Sequence, residues 1–480
     1  MPRLVVVSNR VSVPRSRRIA SGGLAVGLLS ALRESGGVWY GWNGKITKED
    51  SHGGPESLAD GNIEFVTVPL TAEEYGGYYQ GFANRVLWPL FHLRLNLVEY
   101  RGRDFEIYRQ TNQAFAEDLL KLVSADDILW IHDYHCIPLG QKLRRMGLHN
   151  RMGFFLHIPF PAYDVFRSIP NPHILLEYFL HYDLIGFQTE LDRDSFLDTV
   201  RRIFPGARVT ETSIDYRERH IQTGAFPIGI DYENVVATAT ERAMHSVHVK
   251  RLRRSLDNRK LIIGVDRLDY SKGLAERFRA FQHFMEYSEQ YRNHVVYMQI
   301  AQPSRVDVPE YQAITDEVDF LAGKINGHFA QYDRVPLRYL NRGFSHPTIM
   351  GFLAIADVGL VTPLRDGMNL VAKEYVAAQD PEQPGVLILS RMTGAADELD
   401  GALLVTPYNI DGVAAAIERA LDMPLPERRE RWQSMIKQVR ANDVHNWAAN
   451  FVETLNEGAA PSLFVASGRR STPVDSKSLR

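Results

Sequence analysis

Short apolar runs followed by amphipathic stretches recur along the whole chain. Short apolar runs bounded by polar turns are typical of buried parallel strands, and apolar residues spaced three and four apart predict helices that cover them. The predicted strands are 4–7, 128–131, 153–156, 184–187, 261–265, 295–300, 358–361, 386–389 and 403–405, with 38–42 and 63–68 as weaker candidates. The predicted helices are 113–123, 191–203, 235–256, 275–287, 412–421 and 427–455.

The alternation of strand and helix runs through the chain twice, with a break at 227–231. Such alternation is typical of parallel, doubly wound sheets. We therefore predict an α/β fold of two Rossmann-like domains that face each other across a cleft, with residues 1–231 in the first domain and 232–445 in the second. Residues 446–457 are predicted to cross back onto the first domain. The tail 458–480 lacks apolar periodicity and is predicted to be disordered.

Composition narrows the class of protein. The chain has 55 basic and 58 acidic residues, a formal net charge of −3, which gives no support for a nucleic-acid partner. No apolar run approaches the length of a membrane span, and the N-terminus lacks a signal-peptide pattern. The single cysteine, Cys136, excludes an intramolecular disulfide and fits a reducing compartment. A cytoplasmic enzyme is the expectation.

The turn that follows predicted strand 358–361 contains several residues that could bind a ligand. We expect Gly367 to take a positive φ and Asn369 to cap the next helix, which would leave free backbone N–H groups aimed at an anion. Those N–H groups belong to Met368, Asn369, Leu370 and Val371. Asp366 and Glu374 flank them, so a ligand carrying both phosphate and hydroxyls fits, such as a nucleotide-sugar. The alternative is an ordinary turn with solvated carboxylates.

Cations follow several other predicted strands, where ligands bind in open parallel sheets. Arg267 and Lys272 flank one such turn and suit a diphosphate leaving group, whose charge grows as a glycosidic bond breaks. A surface salt bridge of Arg267 with Asp269 is the alternative. Arg10 and Arg305 come from different domains, and we interpret them as a clamp across the cleft for a phosphate monoester, although either one alone would be structural.

Paired glycines, Gly22 and Gly23, precede another predicted helix and allow close approach to a phosphate. Neither a GxGxxG fingerprint in strand–turn–helix context nor a GxxxxGK[ST] loop occurs in the sequence. A dinucleotide-dependent dehydrogenase is therefore disfavoured.

Segment 132–136, HDYHC, resembles a metal site at first sight, but no second ligand cluster at zinc spacing exists in the sequence. Asp133 is better interpreted as an acceptor for a sugar hydroxyl. Cys136 is expected to pack behind the turn. Tyr79 and Trp88 are candidates for an aromatic wall against a sugar ring, with helix core as the alternative.

Together these stretches resemble the trehalose-6-phosphate synthases over residues 3–455, on the motifs VVVSNR, SGGLAVG, WYGWNG, VLWPLFH, WIHDYH, GFFLHIPFP, LIGFQTE, DRLDYSKGL, INGHF and VTPLRDGMNLVAKEYVAAQD. The resemblance implies a retaining GT-B glycosyltransferase that transfers glucose from UDP-glucose to glucose 6-phosphate, giving α,α-trehalose 6-phosphate and UDP. It also implies that no metal or other cofactor is required, that neither nucleic acid nor membrane is a partner, and that the protein forms a homo-oligomer, a dimer or a tetramer.

The resemblance further implies a role for each matching position. The implied ligands of glucose 6-phosphate are Arg10, Tyr79, Trp88, Asp133 and Arg305. The implied donor ligands are Gly22, Gly23, His157, Arg267, Lys272, Phe344, Asp366, Gly367, Met368, Asn369, Leu370, Val371 and Glu374, with Glu374 on the ribose and Phe344 beside the base. The implied catalytic residues are Arg267, Lys272, His157 and Asp366.

The mechanism implied for this family is a front-face reaction, in which the leaving phosphate oxygen takes the proton of the acceptor while attack occurs on the same face. Alternatives remain. Glucosylglycerol-phosphate synthases and pseudo-glycosyltransferases share this chemistry, and a silent sugar-phosphate sensor would belong to another class. UDP, GDP and ADP donors are all compatible with the base pocket.

Overall fold

The computed structural model describes residues 3–11, 13, 23–48, 54–304 and 309–457. Its strands are β1 (Leu4–Arg10), β2 (Gly37–Thr47), β3 (Glu56–Asp60), β4 (Ile63–Thr71), β5 (Ile128–His132), β6 (Met152–Phe155), β7 (Leu184–Phe187), β8 (Arg208–Val209), β9 (Ser213–Tyr216), β10 (Arg219–Ala225), β11 (Lys260–Arg267), β12 (Val295–Gln302), β13 (Leu337–Leu340), β14 (Val358–Val361), β15 (Val386–Ser390) and β16 (Leu403–Val405).

The α-helices are α1 (Gly23–Ser35), α2 (Ala72–Glu74), α3 (Trp88–Phe91), α4 (Gly102–Leu122), α5 (Leu139–Arg145), α6 (Tyr163–Phe166), α7 (Pro172–Phe179), α8 (Glu190–Ile203), α9 (Tyr232–His245), α10 (Val247–Leu256), α11 (Leu274–Tyr287), α12 (Pro309–Phe329), α13 (His346–Leu353), α14 (Leu370–Ala378), α15 (Ile410–Asp422), α16 (Leu425–Ala441) and α17 (Val444–Glu457). A π-helix spans Tyr75–Leu87. In the described part of the chain, no helix is long and apolar enough to cross a membrane.

The strands form two sheets, one in each half of the chain. The first has the order β3, β4, β2, β1, β5, β6, β7, β10, β9, β8, and the second has the order β13, β12, β11, β14, β15, β16. The second sheet is parallel throughout, whereas antiparallel pairs extend the first sheet at both edges. The predicted α/β fold of two facing domains is confirmed.

Two predicted helices are each divided in the structure. Stretch 235–256 contains α9 and α10, which are separated by Ser246 in an extended conformation. Stretch 427–455 contains α16 and α17. Between these two helices the backbone of Asn442 lies against Gly229, where a Cβ on Gly229 would be 2.0 Å from the Asn442 carbonyl oxygen. Neither break carries a proline or glycine within it, so the sequence alone gave no signal of it.

Helix α17 lies on the first sheet. Its Trp447 and Phe451 rings lie 4.9 Å and 4.8 Å from the ring of Trp130 on β5. Phe451 also fills the space beside Gly153 and Gly186, where any side chain would collide with it. The chain therefore passes from the second sheet back to the first. The domain boundary at 231/232 stays a prediction, and the tail 458–480 lies outside the described residues.

Candidate active site between the two sheets

A cavity of about 680 Å³ lies at the carboxyl ends of both sheets, a size typical of a site for a small organic ligand. The predicted site residues that line it are Arg10, His157, Arg267, Lys272, Phe344, Asp366, Met368, Asn369, Leu370, Val371 and Glu374. Trp88, Asp133 and Gly367 contact Arg267 or His157, whereas the ring neighbours of Tyr79 are Trp42, Tyr75 and His135. Gly23 begins helix α1. Gly22 and Arg305 lie outside the described residues.

The turn before helix α14 carries a buried ion pair. The Lys272 ammonium donates to Asp366 Oδ2 at 2.5 Å, and Asn369 Nδ2 donates to the same oxygen at 3.0 Å. Burial alone would raise the pKa of Asp366, but the Lys272 charge and these hydrogen bonds outweigh it and hold the pKa below its ordinary value. Asp366 is therefore an ionised acceptor at neutral pH. Asn369 Oδ1 accepts from the Ala372 N–H, which confirms the predicted helix cap.

The predicted positive φ at Gly367 is wrong, because the left-handed residue in this turn is Asn369, with φ 78°. The reason for a glycine here is a close approach between the two domains. A Cβ on Gly367 would lie 2.1 Å from the carbonyl oxygen of His157, in the loop after β6. On its other side, the Gly367 carbonyl oxygen lies 2.1 Å from the position that a Cβ on Gly394 would take. The turn is thus held between the backbones of both domains.

Arg267 and Trp88 meet across the cleft. The Arg267 guanidinium lies over the Trp88 ring, 5.5 Å from its centre, while the Trp88 indole N–H donates to Asp269 Oδ1 at 3.4 Å. Tyr311 donates its hydroxyl to Asp269 Oδ2 at 2.8 Å. Trp88 is only 4% exposed, so little of its ring is available to a ligand. Sequence patterns considered Asp269 only as a partner of Arg267 and missed its link to Trp88.

His157 belongs to a chain of three polar side chains. The Gln188 amide oxygen accepts from the Ile228 N–H at 3.0 Å, which aims the amide nitrogen at His157 Nδ1, 3.4 Å away. The proton of His157 therefore lies on Nε2, which donates to His132 Nδ1 at 3.0 Å. Burial lowers the pKa of His157 to about 3 and that of His132 in the same direction, so both rings are neutral.

The first domain contributes Asp133, Tyr79 and Arg10 to this side of the cleft. Asp133 has φ 72°, a strained conformation for a non-glycine residue, and its Oδ1 accepts from the His157 N–H at 3.2 Å. The Tyr79 ring is half-buried and stacks on His135 at 5.8 Å. Arg10 is exposed at the end of β1. The geometry holds one carboxylate, one phenol and one guanidinium at the end of the first sheet.

Glu374 has a partner that sequence patterns missed. His346 Nε2 lies 3.0 Å from Glu374 Oε1, and both side chains line the cleft. Burial on its own would lower the pKa of His346, but the hydrogen bond and the charge of Glu374 outweigh it and raise the pKa. Phe344 lies beside this pair, with the Arg342 guanidinium 4.7 Å from the centre of its ring. A histidine between a proline and a serine carries no signal that would predict this contact.

Cys136 is fully buried, as predicted, and burial raises the pKa of its thiol. Among the described residues, no group of His, Cys, Asp and Glu side chains has the geometry to hold a metal ion.

The profile of glycosyltransferase family 20 matches residues 2–457. The chain is 47% identical over 455 residues to trehalose-6-phosphate synthase of Klebsiella pneumoniae, covering 95% of each chain, and 48% identical over 457 residues to that of Sinorhizobium fredii, covering 95% of this chain and 98% of the relative. A Burkholderia xenovorans α,α-trehalose-phosphate synthase (UDP-forming), in complex with glucose 6-phosphate, is similar with 46% identity and a TM-score of 0.90 over 95% of this chain and 100% of that chain. An E. coli structure bound with UDP-2-fluoro glucose has 44% identity and a TM-score of 0.89 over 95% and 99% of the two chains. The chain therefore belongs to glycosyltransferase family 20.

Proposed function

We propose that this protein transfers glucose from UDP-glucose to glucose 6-phosphate with retention, giving α,α-trehalose 6-phosphate and UDP. The relatives with the same extent and fold are trehalose-6-phosphate synthases, one in complex with glucose 6-phosphate. The observation that carries the proposal is the meeting, in one cleft, of Arg267, Lys272 and the amino end of helix α14 with Arg10 from the other sheet.

The donor half of the cleft is formed by the second sheet. Arg267 and Lys272 would contact the diphosphate, and the N–H groups at the start of α14 would face donor sugar and phosphate. Glu374 retains Oε2 as an acceptor for ribose hydroxyls, because the His346 contact is at Oε1. Phe344 would lie beside the base. The other proposed donor ligands are Gly22, Gly23, His157, Asp366, Gly367, Met368, Asn369, Leu370 and Val371.

The proposed acceptor half is formed by residues of the first half of the chain, and we assign Arg305 to it from the sequence. Arg10 and Arg305 would hold the phosphate of glucose 6-phosphate, while Tyr79 and Asp133 would contact its sugar. Trp88 would close the end of this pocket. The two sugars would meet where the loop after β6 touches the turn at Gly367.

Retention through a front-face reaction is supported by the state of the two nearby carboxylates. A double displacement needs a carboxylate free to attack the anomeric carbon. Asp366 is engaged by Lys272 and Asn369, and Asp133 accepts from the His157 N–H. In the front-face route the leaving phosphate oxygen takes the acceptor proton, and Arg267, Lys272 and the helix amides stabilise the charge that develops on the phosphate.

Donor and acceptor are tested together by incubating the protein with UDP-, GDP- and ADP-glucose against glucose 6-phosphate and glycerol 3-phosphate, with products identified by mass. The expected result is trehalose 6-phosphate, formed fastest from UDP-glucose. A preference for glycerol 3-phosphate, or no release of nucleotide from any pair, would contradict the proposal. Mass spectrometry of the protein under turnover should detect no glucosyl-enzyme, and its detection would refute the front-face route.

We further propose that the reaction needs no metal or other cofactor, and that the protein acts in the cytoplasm as a homo-oligomer. Neither nucleic acid nor membrane is proposed as a partner. Full turnover after exhaustive treatment with a chelator is the expected result for the first point. Light scattering of the purified protein distinguishes a dimer from a tetramer.

A further inference from the structure

A second cavity of about 610 Å³ lies behind Phe344, on the far side from the cleft. It is bounded by helix α10, helix α12 and the edge strand β13. Its basic lining residues are His248, Arg251, Arg338 and Arg342, and no Asp or Glu is among its lining residues in the described part of the chain. We call it the basic pocket. Phe344 is the one described residue that lines both the basic pocket and the cleft.

Arg338 places an uncompensated charge at the wall of the basic pocket. Its side chain is half-buried, and Nη1 and Nη2 donate to the Ser255 hydroxyl at 2.7 Å and to the Ser255 carbonyl at 2.8 Å. Burial, with the positive charge of Arg259 as a smaller cause, lowers the pKa of Arg338. In the described part of the chain, Arg251, Arg338 and Arg342 form no ion pair. Three guanidinium groups and a histidine line the pocket with no carboxylate among its described lining residues, so the site favours an added anion.

Apart from Asn326 and Tyr339, the rest of the basic pocket is apolar. Its apolar residues are Leu252, Met298, Ala322, Leu337, Leu340, Phe344 and Phe352. The Asn326 amide is already engaged, because it bonds both the N–H and the carbonyl of Leu337 on the open edge of β13. A ligand that satisfies this pocket therefore carries an anion at one end and an apolar or aromatic body at the other. The volume lies within the range typical of small-molecule sites.

We propose that the basic pocket binds an organic phosphate of mononucleotide size, with its phosphate on Arg251 and Arg338. We propose also that occupation of the pocket weakens donor binding through Phe344, a second part that rests on the proposed function. The Arg342 guanidinium lies 4.7 Å from the centre of the Phe344 ring, and that ring meets Phe352 edge-on at 5.7 Å. A phosphate is a stronger partner for a guanidinium than an aromatic ring is. Arg342 would leave the ring for the phosphate, and Phe344 would lose the contact that orients it in the cleft.

The binding part is tested by calorimetry on the full chain, with adenosine 5′-monophosphate titrated both without UDP and with UDP saturating the cleft; because coupling is reciprocal, UDP should weaken this binding without abolishing it. We expect one site, weakened at least about tenfold in the double variant Arg251→Ala/Arg338→Ala. The matched control is Arg253→Ala/Arg254→Ala, which removes the same charge from exposed positions of α10 outside the pocket and should bind like the wild type. Arg251→Glu alone repeats the test at an exposed position. It leaves the hydrogen bonds between Arg338 and Ser255 in place.

Two outcomes overturn the binding part: no heat of binding in the wild-type chain, or an equal loss in both double variants, which would show unspecific attraction to a basic surface. Inorganic phosphate should bind more weakly than the nucleotide. Equal affinities would refute the proposal that the apolar part of the pocket binds the organic part of the ligand. For the coupling, the nucleotide should raise the KM for UDP-glucose in the wild type and not in Arg251→Ala/Arg338→Ala, with the KM for glucose 6-phosphate unchanged. The same increase in that variant would mean competition inside the cleft. Failure of the proposed function itself would be seen separately, as absence of trehalose 6-phosphate from UDP-glucose and glucose 6-phosphate when no adenosine 5′-monophosphate is added.

Discussion

Gly367→Ala tests the close approach between the two domains at the centre of the cleft. The new Cβ would lie 2.1 Å from the His157 carbonyl oxygen, 3.1 Å from its carbonyl carbon and 3.2 Å from Ile158 Cα. All three atoms belong to the backbone, so no flexible side chain can turn away. The ordinary distance between a carbon and a carbonyl oxygen is about 3.3 Å. The turn and the loop after β6 must therefore separate by roughly 1 Å.

Two magnitudes follow from this separation. Overpacking of a rigid contact costs about 1–3 kcal/mol of stability. A misplacement of about 1 Å in a catalytic arrangement can cost roughly a hundredfold in rate. Asp366 precedes Gly367 and the helix amides follow it, whereas His157 and Asp133 lie on the other side of the contact. We therefore expect kcat to fall by about a hundredfold at temperatures where the variant is still folded.

The assay measures kcat and KM well below the thermal transition, together with urea unfolding. Gly327→Ala is the matched control, because Gly327 lies inside helix α12 and, its own helix backbone and chain neighbours aside, no atom of the described residues lies within 4 Å of the added Cβ. That variant should keep wild-type kcat and gain about 0.5–1 kcal/mol. If Gly367→Ala showed wild-type kcat and unchanged unfolding, the two backbones would not be in contact in solution and the reasoning would fail.

Three further predictions concern charges in the cleft. Lys272→Met leaves the buried Asp366 carboxylate without its cation, so urea unfolding should show a loss of stability of about 3–5 kcal/mol. Arg267→Ala, at an exposed side chain, should lower kcat but lose less than about 0.5 kcal/mol of stability. Equal losses of stability in the two variants would contradict this prediction. Because the folded pKa of Asp366 is lowered, its contribution to stability is present above the unfolded value of 3.8 and is lost as the pH falls through the folded value, so unfolding curves of Asp366→Asn and wild type should converge in acid. Because the pKa of His346 is raised, its effect on stability depends on pH in the opposite direction: the contribution is complete below pH 6.5 and is lost as the pH rises through the folded pKa. Proton NMR should show His346 titrating above 6.5 in the wild type and at a lower pH in Glu374→Gln.

The parallel strands that were predicted are short apolar runs whose burial matches their sequence. Strand β14 coincides with predicted strand 358–361, and its four residues are all buried. The cap at Asn369 was predictable for the same local reason. The π-helix Tyr75–Leu87 was not, since its hydrogen bonds skip one residue more than those of an α-helix and no side-chain period encodes that choice. Strand β13 was missed because its three last residues are only partly buried at the sheet edge.

In the candidate site too, residues marked by a local sequence pattern were predicted and residues that act through long-range contacts were not. Residues at strand ends, such as Arg267 and Asp366, can be recognised because their position along the chain places them at the edge of a sheet. Gln188 and His346 act through contacts with His157 and Glu374 that join separate segments, and no local pattern records such contacts. Gly367 shows a third case, in which the residue was recognised and the physical reason for it was wrong.

The contacts between the two sheets explain why each half of the site depends on the other. Asp269, in the turn after β11, is fully buried, and a carboxylate in that position requires hydrogen-bond donors. One of its donors is Trp88 from helix α3, in the first half of the chain. Likewise the fully buried Lys373 ammonium donates to the Ile228 carbonyl at 2.9 Å and pairs with Glu398 at 2.7 Å. Separation of the domains would therefore leave buried polar groups short of partners, so the closed cleft is favoured by desolvation as well as by apolar packing, even before a substrate binds.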